Sequence, residues 1–216
     1  MTHHVFLTGA KQVGKSTLLK KTLRSFDGQI GGFFTLRTCE YLKTGFSVHL
    51  LPAAVPADPD ETNLLFICGT SSPLSSNETP RRFDRLGCNA LSDFLQKDLI
   101  LMDELGPHEA EAVRFRQMIL KVLDGPVPVL GVLQEAPSPF LQEIAQRPDV
   151  TVLRITEENR NEPELLKQLA SLLPTYPVSH LFYRLAYNNS QYGDHNILWH
   201  KSHHRIGKYS ACGHVS

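Results

Sequence analysis

The four cysteines of this 216-residue chain (Cys39, Cys68, Cys88 and Cys212) include no C-x-x-C pair. That scatter argues against a disulfide framework, and Cys39 and Cys68, lying in strand-like runs, read as small buried hydrophobes. Charge of one sign is also missing: 22 basic residues face 22 acidic ones. No global electrostatic case exists for a nucleic acid or an anionic membrane as partner. No apolar run approaches the roughly 20 residues a bilayer-spanning helix needs. No leader pattern precedes the first strand-like run, so a cytoplasmic, monomeric protein is expected. An N-K-x-D guanine motif is absent, which weakens a GTP-switch reading. What is present is ordinary globular material, 41% hydrophobic and 20% charged, in a length that suits one domain with an appendage.

The most informative stretch lies at the start. Residues 5–8 form a short apolar run, followed by Gly9-Ala10-Lys11-Gln12-Val13-Gly14-Lys15-Ser16-Thr17 and then a helical stripe (Leu18, Leu19, Thr22, Leu23). This is G-x-x-x-x-G-K-S between a strand and a helix, the context a phosphate-binding P-loop requires. Glycines at 9 and 14 let successive amides turn inward, and the helix start adds free N–H groups and the positive end of its dipole. Lys15 is expected to reach the β- and γ-phosphates and Ser16 to ligate Mg²⁺, with Gly9 to Thr17 lining the nucleotide.

Further along, residues 30–37, 45–51 and 63–68 read as strands with no helix between them, hence an antiparallel meander. His49 falls in the second and is expected on the strand surface. Two long turn-rich loops, 52–62 and 69–79, interrupt this part. The second leads to Arg81, Arg82 and Arg85, a basic cluster that reads as a solvated patch in preference to a charge-donating lid. A short helix is expected over 88–96, a helix over 107–123 with Ala112, Phe115, Ile119, Val122 and Leu123 buried, a strand over 127–134, a short helix from Ser138-Pro139, a strand over 150–155 and a last helix from Pro163 to Leu173.

Four apolar residues, Leu99 to Met102, precede Asp103-Glu104. A buried strand with acids at its carboxyl end puts them where open α/β sheets bind ligands. Asp103 suits the metal partner and Glu104 the base that orients and deprotonates water. Glu109, nearby, fits helix stabilisation equally well. Thr156 to Asn161 follow another strand end; Asn159 and Arg160 there either meet the nucleotide or form an Asx-rich turn.

Residues 175–216 change character, with His195, His200, His203, His204, Cys212 and His214 in a spacing that matches no closed zinc pattern. The reading divides the chain into a domain at 1–174 and a loosely packed His/Tyr-rich extension at 175–216.

Together, V-F-L-T-G-A-K-Q-V-G-K-S-T-L (5–18), G-G-F-F-T (31–35), L-M-D-E-L-G (101–106) and T-E-E-N-R-N (156–161) resemble the cancer-related nucleoside triphosphatase family of small P-loop NTPases, over about residues 4–173. The resemblance implies a Rossmann-like α/β fold, with a mostly parallel sheet covered by helices on both faces. It also implies Mg²⁺-dependent hydrolysis of several nucleoside triphosphates to diphosphates with little base selectivity. Under it Asp103 and Glu104 become the metal and water pair, Glu109 matches a family acid, and Asn159-Arg160 match the late polar motif. Ala10-Lys11-Gln12 departs from the Pro/Gly-rich loop interior expected there and adds a charge. Rival readings are a nucleotide or polynucleotide kinase and a nucleotide-dependent adaptor.

Overall fold

The computed structural model describes residues 2–24, 26–39, 45–69 and 78–173. The expected extension at 175–216 and its histidines lie outside the described residues. Seven strands form one sheet: β1 (His4–Thr8), β2 (Ile30–Thr38), β3 (Phe46–Pro52), β4 (Leu64–Cys68), β5 (Leu99–Leu105), β6 (Val129–Leu133) and β7 (Val150–Arg154). Their spatial order is β4-β3-β2-β5-β6-β1-β7. The five strands from β2 to β7 in that order pair parallel, while β2-β3 and β3-β4 are antiparallel. The expected meander therefore widens one side of a parallel sheet. One strand, β6, stands between the P-loop strand β1 and the acid-bearing strand β5, a point no local pattern expresses.

Helices cover both faces, as burial of both sides of a parallel sheet requires. α1 (Lys15–Leu23) and α5 (Pro163–Leu172) pack Leu18, Leu19, Leu23, Leu165 and Leu169 onto Val5, Leu7, Leu101 and Val132. α2 (Thr79–Ala90), α3 (Val113–Leu123) and α4 (Pro139–Ala145) cover the other face, with Phe83, Phe115, Ile119, Phe140 and Ile144 against Phe6, Phe33, Ile100 and Met102. Among the described residues no helix is long and apolar enough to cross a membrane.

Four expectations change. The helix expected over 88–96 begins at Thr79 and ends at Ala90, leaving a single 3₁₀ turn at Phe94–Gln96. Its apolar stripe is thin among arginines, and Gly87 reads as a breaker; in the fold that glycine is the place where the Phe115 ring lies against the helix, leaving no room for a Cβ. The helix expected over 107–123 divides into a 3₁₀ turn (Pro107–Glu111) and α3, with non-helical backbone at Ala112. The Asp84 carboxylate accepts the Phe115 N–H at 2.8 Å and so starts α3 from a neighbouring helix. His49 is fully buried rather than on the strand surface, its Nδ1 2.8 Å from Asn63 Oδ1 and its Nε2 2.8 Å from Ser47 Oγ. Asn63 also accepts the Asp60 N–H and donates to the Asp58 carbonyl, so this network ties down the 52–62 loop. Finally, Cys39 is disulfide-bonded, against its reading as a small buried hydrophobe, while Cys68 and Cys88 are free thiols.

His4 holds the sheet from within. Its Nδ1 accepts the Val129 N–H at 3.1 Å, which leaves the proton on Nε2, 3.0 Å from the Leu123 carbonyl it donates to. The neutral ring thus joins β1, β6 and the end of α3. Burial lowers its pKa below the ordinary 6.5, partly offset by the Asp149 carboxylate. The unfolded chain, titrating near 6.5, takes up this proton first, so the stabilisation is complete above that pH and is lost as pH falls from there through the folded value. His4→Gln should flatten the decline of unfolding free energy between pH 7 and pH 5, and His4→Ala should cost about 2–4 kcal/mol at pH 7. Urea unfolding of both variants at the two pH values checks this; an unchanged slope in His4→Gln would refute it.

Candidate active site

Because β1, β2, β5, β6 and β7 run the same way, their carboxyl ends share one edge of the sheet. The P-loop follows β1, Asp103-Glu104 close β5, Gln134 follows β6 and Thr156–Arg160 follow β7. The expected residues are thereby drawn together from positions as far apart in sequence as Gly9 and Arg160.

The loop owes its shape to backbone conformations that side chains resist. Gly9 (φ 138°) and Gly14 (φ 108°) lie in the left-handed half of backbone space, and so does Gln12 (φ 63°), a position where a side chain costs about 1 kcal/mol. Gly9 also meets the Ile155 carbonyl so closely that a Cβ has no space. The N–H of Ile155 in turn donates to the Thr8 carbonyl at 2.8 Å. The loop is pinned to the end of β7 on one side and, through Thr8 Oγ1 donating to the Leu133 carbonyl at 3.0 Å, to the end of β6 on the other.

Lys15 is 7% exposed, and its ammonium donates to the Gly9 and Ala10 carbonyls, both at 2.8 Å. Ser16 Oγ donates to Asp103 Oδ1 at 3.1 Å, which joins the P-loop to β5 across β6. Asp103 is buried, and its pKa is pushed up to about 6 by burial and then by the neighbouring Glu104 carboxylate, against the pull of Ser16, Lys20 and Lys15. Glu104, partly exposed, is also raised by burial; Lys15, a hydrogen bond from Gln134 and Lys11 counter this. Glu109 is 3% exposed and pushed up to about 8 by burial, though its Oε2 accepts the Gly106 N–H at 3.0 Å. It therefore ties the 3₁₀ turn back to the end of β5.

The late polar motif divides its labour. Asn159 Oδ1 accepts the Thr156 N–H at 2.8 Å and its Nδ2 donates to the Arg154 carbonyl at 2.9 Å, which places the amide in the turn itself. Arg160 reaches over the P-loop, with Nη1 3.4 Å from the Val13 carbonyl. Between loop and motif lies a cleft of about 420 Å³ lined by Ala10, Lys11, Gln12, Val13, Thr156 and Glu158 among others. The arginine cluster sits on α2: Arg82 pairs with Glu78 and donates to the Leu64 carbonyl, and Arg85 donates to the Thr62 carbonyl. None of these bonds reaches the P-loop. In sequence Gln134 reads as the last residue of an apolar strand run; its signal is a polar residue closing a buried strand at the carboxyl edge of the sheet.

Comparison with known proteins bears on the family and the fold. A family model described as NTPase matches residues 4–169. The chain is 30% identical over 174 residues to the nucleoside-triphosphatase THEP1 of Thermotoga maritima, covering 78% of this chain and 94% of that one. It is 30% identical over 200 residues to the cancer-related nucleoside-triphosphatase homolog of Bos taurus, with 79% and 98% covered. The crystal structure of THEP1 from the hyperthermophile Aquifex aeolicus superposes with a TM-score of 0.60 at 22% identity, over 80% of this chain and 99% of that one, a likeness of fold. The solution structure of a human cancer-related nucleoside triphosphatase gives 0.53 at 25% identity, over 78% and 96%.

Replacing Gly9 by Ala forces a Cβ into the Ile155 carbonyl at a φ that alanine avoids. A loss of about 2–4 kcal/mol in unfolding free energy is expected, whereas Gln12→Gly, which relieves a left-handed side chain but frees the unfolded chain, should stay within about 1 kcal/mol. Chemical denaturation of the two variants decides: equal, small effects would mean that the close approach at Gly9 does not constrain the loop.

Proposed function

The chain belongs to this NTPase family, and from that premise we propose that it hydrolyses nucleoside triphosphates to diphosphate and phosphate, with Mg²⁺, using the Asp103-Glu104 pair. The observation that carries the reading is the Ser16–Asp103 hydrogen bond of 3.1 Å. It sets a P-loop hydroxyl beside a buried strand-end carboxylate, with the second acid one residue on.

The donor set fits magnesium. Hydroxyl and carboxylate oxygens are the hard ligands that ion takes. Asp103 forms no ion pair with a cationic side chain among the described residues, and burial and the neighbouring Glu104 carboxylate raise its pKa against the pull of Ser16, Lys20 and Lys15. Ser16 and Asp103 would hold the ion, which when bound supplies neutralisation of charge on the β- and γ-phosphates.

The remaining work belongs to side chains and amides of the chain. The loop amides from Gly9 to Thr17 and the start of α1 bind the phosphates. Lys15, already aimed along the loop by its bonds to Gly9 and Ala10 carbonyls, exchanges neutral acceptors for phosphate oxygens when a triphosphate arrives. Arg160, beside Val13, adds a second cation on the far side of the loop. Glu104 orients a water and takes its proton as the water oxygen attacks the γ-phosphorus in line; the bond from phosphorus to the β–γ bridging oxygen breaks, and the diphosphate leaves with that electron pair. The pKa of Glu104, raised by burial, makes it a better proton acceptor than a solvated carboxylate. The cleft beside Lys11, Gln12 and Glu158 offers the base an open, polar surface, which supports low base selectivity. Asn159 acts here by shaping the turn that carries Arg160.

Of the 69–87 segment that the kinase reading would use as a lid, residues 70–77 lie outside the described residues, and Arg82 and Arg85 are engaged by backbone carbonyls of the β3–β4 region. Steady-state phosphate release from ATP, GTP, CTP and UTP, with Mg²⁺ and no acceptor, should proceed at rates within about tenfold of one another. Glu104→Gln should lower kcat at least about 100-fold while nucleotide affinity stays within a few-fold. Chelation of the metal should stop turnover. Full turnover in Glu104→Gln would remove the base assignment, and binding without turnover in the native chain would favour an adaptor.

A further inference from the structure

We propose that the groove between α2 and the start of α3 is a docking surface for an extended acidic peptide, a partner segment with carboxylates at alternate positions.

Arg81, Asp84, Arg85, Cys88 and Asn89 recur at helical spacing along one side of α2. With Arg114, in the first turn of α3, they line an open cleft of about 470 Å³. The walls of this cleft are fixed. Gly87 lets the Phe115 ring lie against α2, and Asp84 Oδ1 accepts the Phe115 N–H at 2.8 Å. Arg114 is the residue before Phe115, so its Cα is held beside the row on α2.

The cleft carries three guanidinium groups and one carboxylate. Among the described residues none of the three arginines forms an ion pair. Arg81 and Arg114 have no hydrogen bond there, and Arg85 has one of 3.4 Å, to the Thr62 carbonyl. Arginines elsewhere on the same helices are engaged: Arg82 meets Glu78 at 3.2 Å, and Arg116 lies over the Phe140 ring and reaches Glu143 at 4.0 Å. Arg81 and Arg85, four residues apart on a helix, repel each other, and Arg114 adds a third like charge from across the groove. An anion seated among them relieves that repulsion.

Spacing and the lone acid select the kind of anion. Residues four apart on a helix stand about 6 Å apart along its axis, close to the roughly 6.6 Å between alternate residues of an extended strand. Carboxylates at alternate positions of a strand therefore reach Arg81 and Arg85 together, each held by the paired donors of a guanidinium fork. Asp84 has a second carboxylate oxygen with no bond among the described residues. A polyphosphate offers that oxygen only like charge, whereas a peptide offers it a backbone N–H. Single-stranded nucleic acid is held in part by stacking on aromatic rings, and no aromatic side chain lines this cleft.

The test is fluorescence anisotropy of a labelled peptide alternating glutamate and threonine, titrated with the full chain at about 50 mM salt, where screening is modest. Saturable binding is expected. It should weaken about tenfold in Arg81→Ala, in Arg114→Ala, and when glutamine replaces glutamate in the peptide. Arg82→Ala removes a guanidinium already paired outside the cleft and should change affinity less than about twofold, which separates a built groove from general attraction to a basic surface. In the free chain the urea midpoint of Arg81→Ala should equal or exceed the native one, since a like charge is removed, and this also shows that the variant folds. The proposal is overturned by an absence of saturable binding, or by equal affinity in Arg82→Ala and the cleft variants. Tighter binding of a polyphosphate or a thymidine oligonucleotide of equal charge overturns it too, and a lower urea midpoint in Arg81→Ala removes the repulsion on which it rests.

Discussion

Burial of charge at one edge of the sheet is the constraint on which the rest of the structure depends. Lys15 and Asp103 are each 7% exposed, both close to the carboxyl ends of parallel strands. A charge taken from water needs either an opposite charge or several well-placed dipoles. Here the hydrogen-bond partners are neutral: two carbonyls for Lys15 and a hydroxyl for Asp103. A tight Lys15–Asp103 ion pair would be the more stable arrangement and would occupy both groups. The observed one leaves both groups unpaired with one another, and burial, then the neighbouring Glu104 carboxylate, raises the pKa of Asp103 to about 6.

Holding charges apart in this way requires a rigid frame, and the hydrophobic layers supply it. Phe6, Leu7 and Val132 under the P-loop and Ile100 and Met102 under the acid pair are at most a few per cent exposed. A close-packed core transmits position, so the ends of β1, β5 and β6 cannot drift independently. His4 adds a polar tie within that core, bridging β1 to β6 and to α3. Gly9 against the Ile155 carbonyl does the same between β1 and β7. Each contact helps to set where the loop amides stand.

What was legible in the chain follows from how local each cause is. The P-loop, the strand ending in Asp103-Glu104 and the buried face of α3 are written in residues a few positions apart, and they stand where their patterns put them. Features set by distant partners were not legible. His49 looks like an outward strand residue until Asn63 and Ser47 are brought around it. The start of α2 is masked by arginines and by Gly87, whose role appears only with Phe115 against it. Gln134 looks like the polar end of an apolar run until β6 is placed between β1 and β5. Asn159 and Arg160, adjacent and equally polar, could not be separated by composition; the hydrogen bonds turn one inward on its own loop and send the other over the P-loop.

The meander and the parallel strands answer different needs. In a purely parallel sheet every strand ends at the ligand edge and must return through a helix. The antiparallel β3–β4 pair is joined through the 52–62 loop instead, and the buried His49–Asn63 network fixes that connection. Because that network is satisfied internally, the 52–62 loop is anchored without drawing on the charged edge. The arginines of α2 are drawn to the same region by the carbonyls of Thr62 and Leu64. Among the described residues the positive charge at the carboxyl edge of the sheet is then that of Lys15, Lys11, Lys20 and Arg160, all on or against the P-loop and α1. The separation sets these cations opposite the strand-end acids, which is the charge geometry the proposed in-line attack on a terminal phosphate requires.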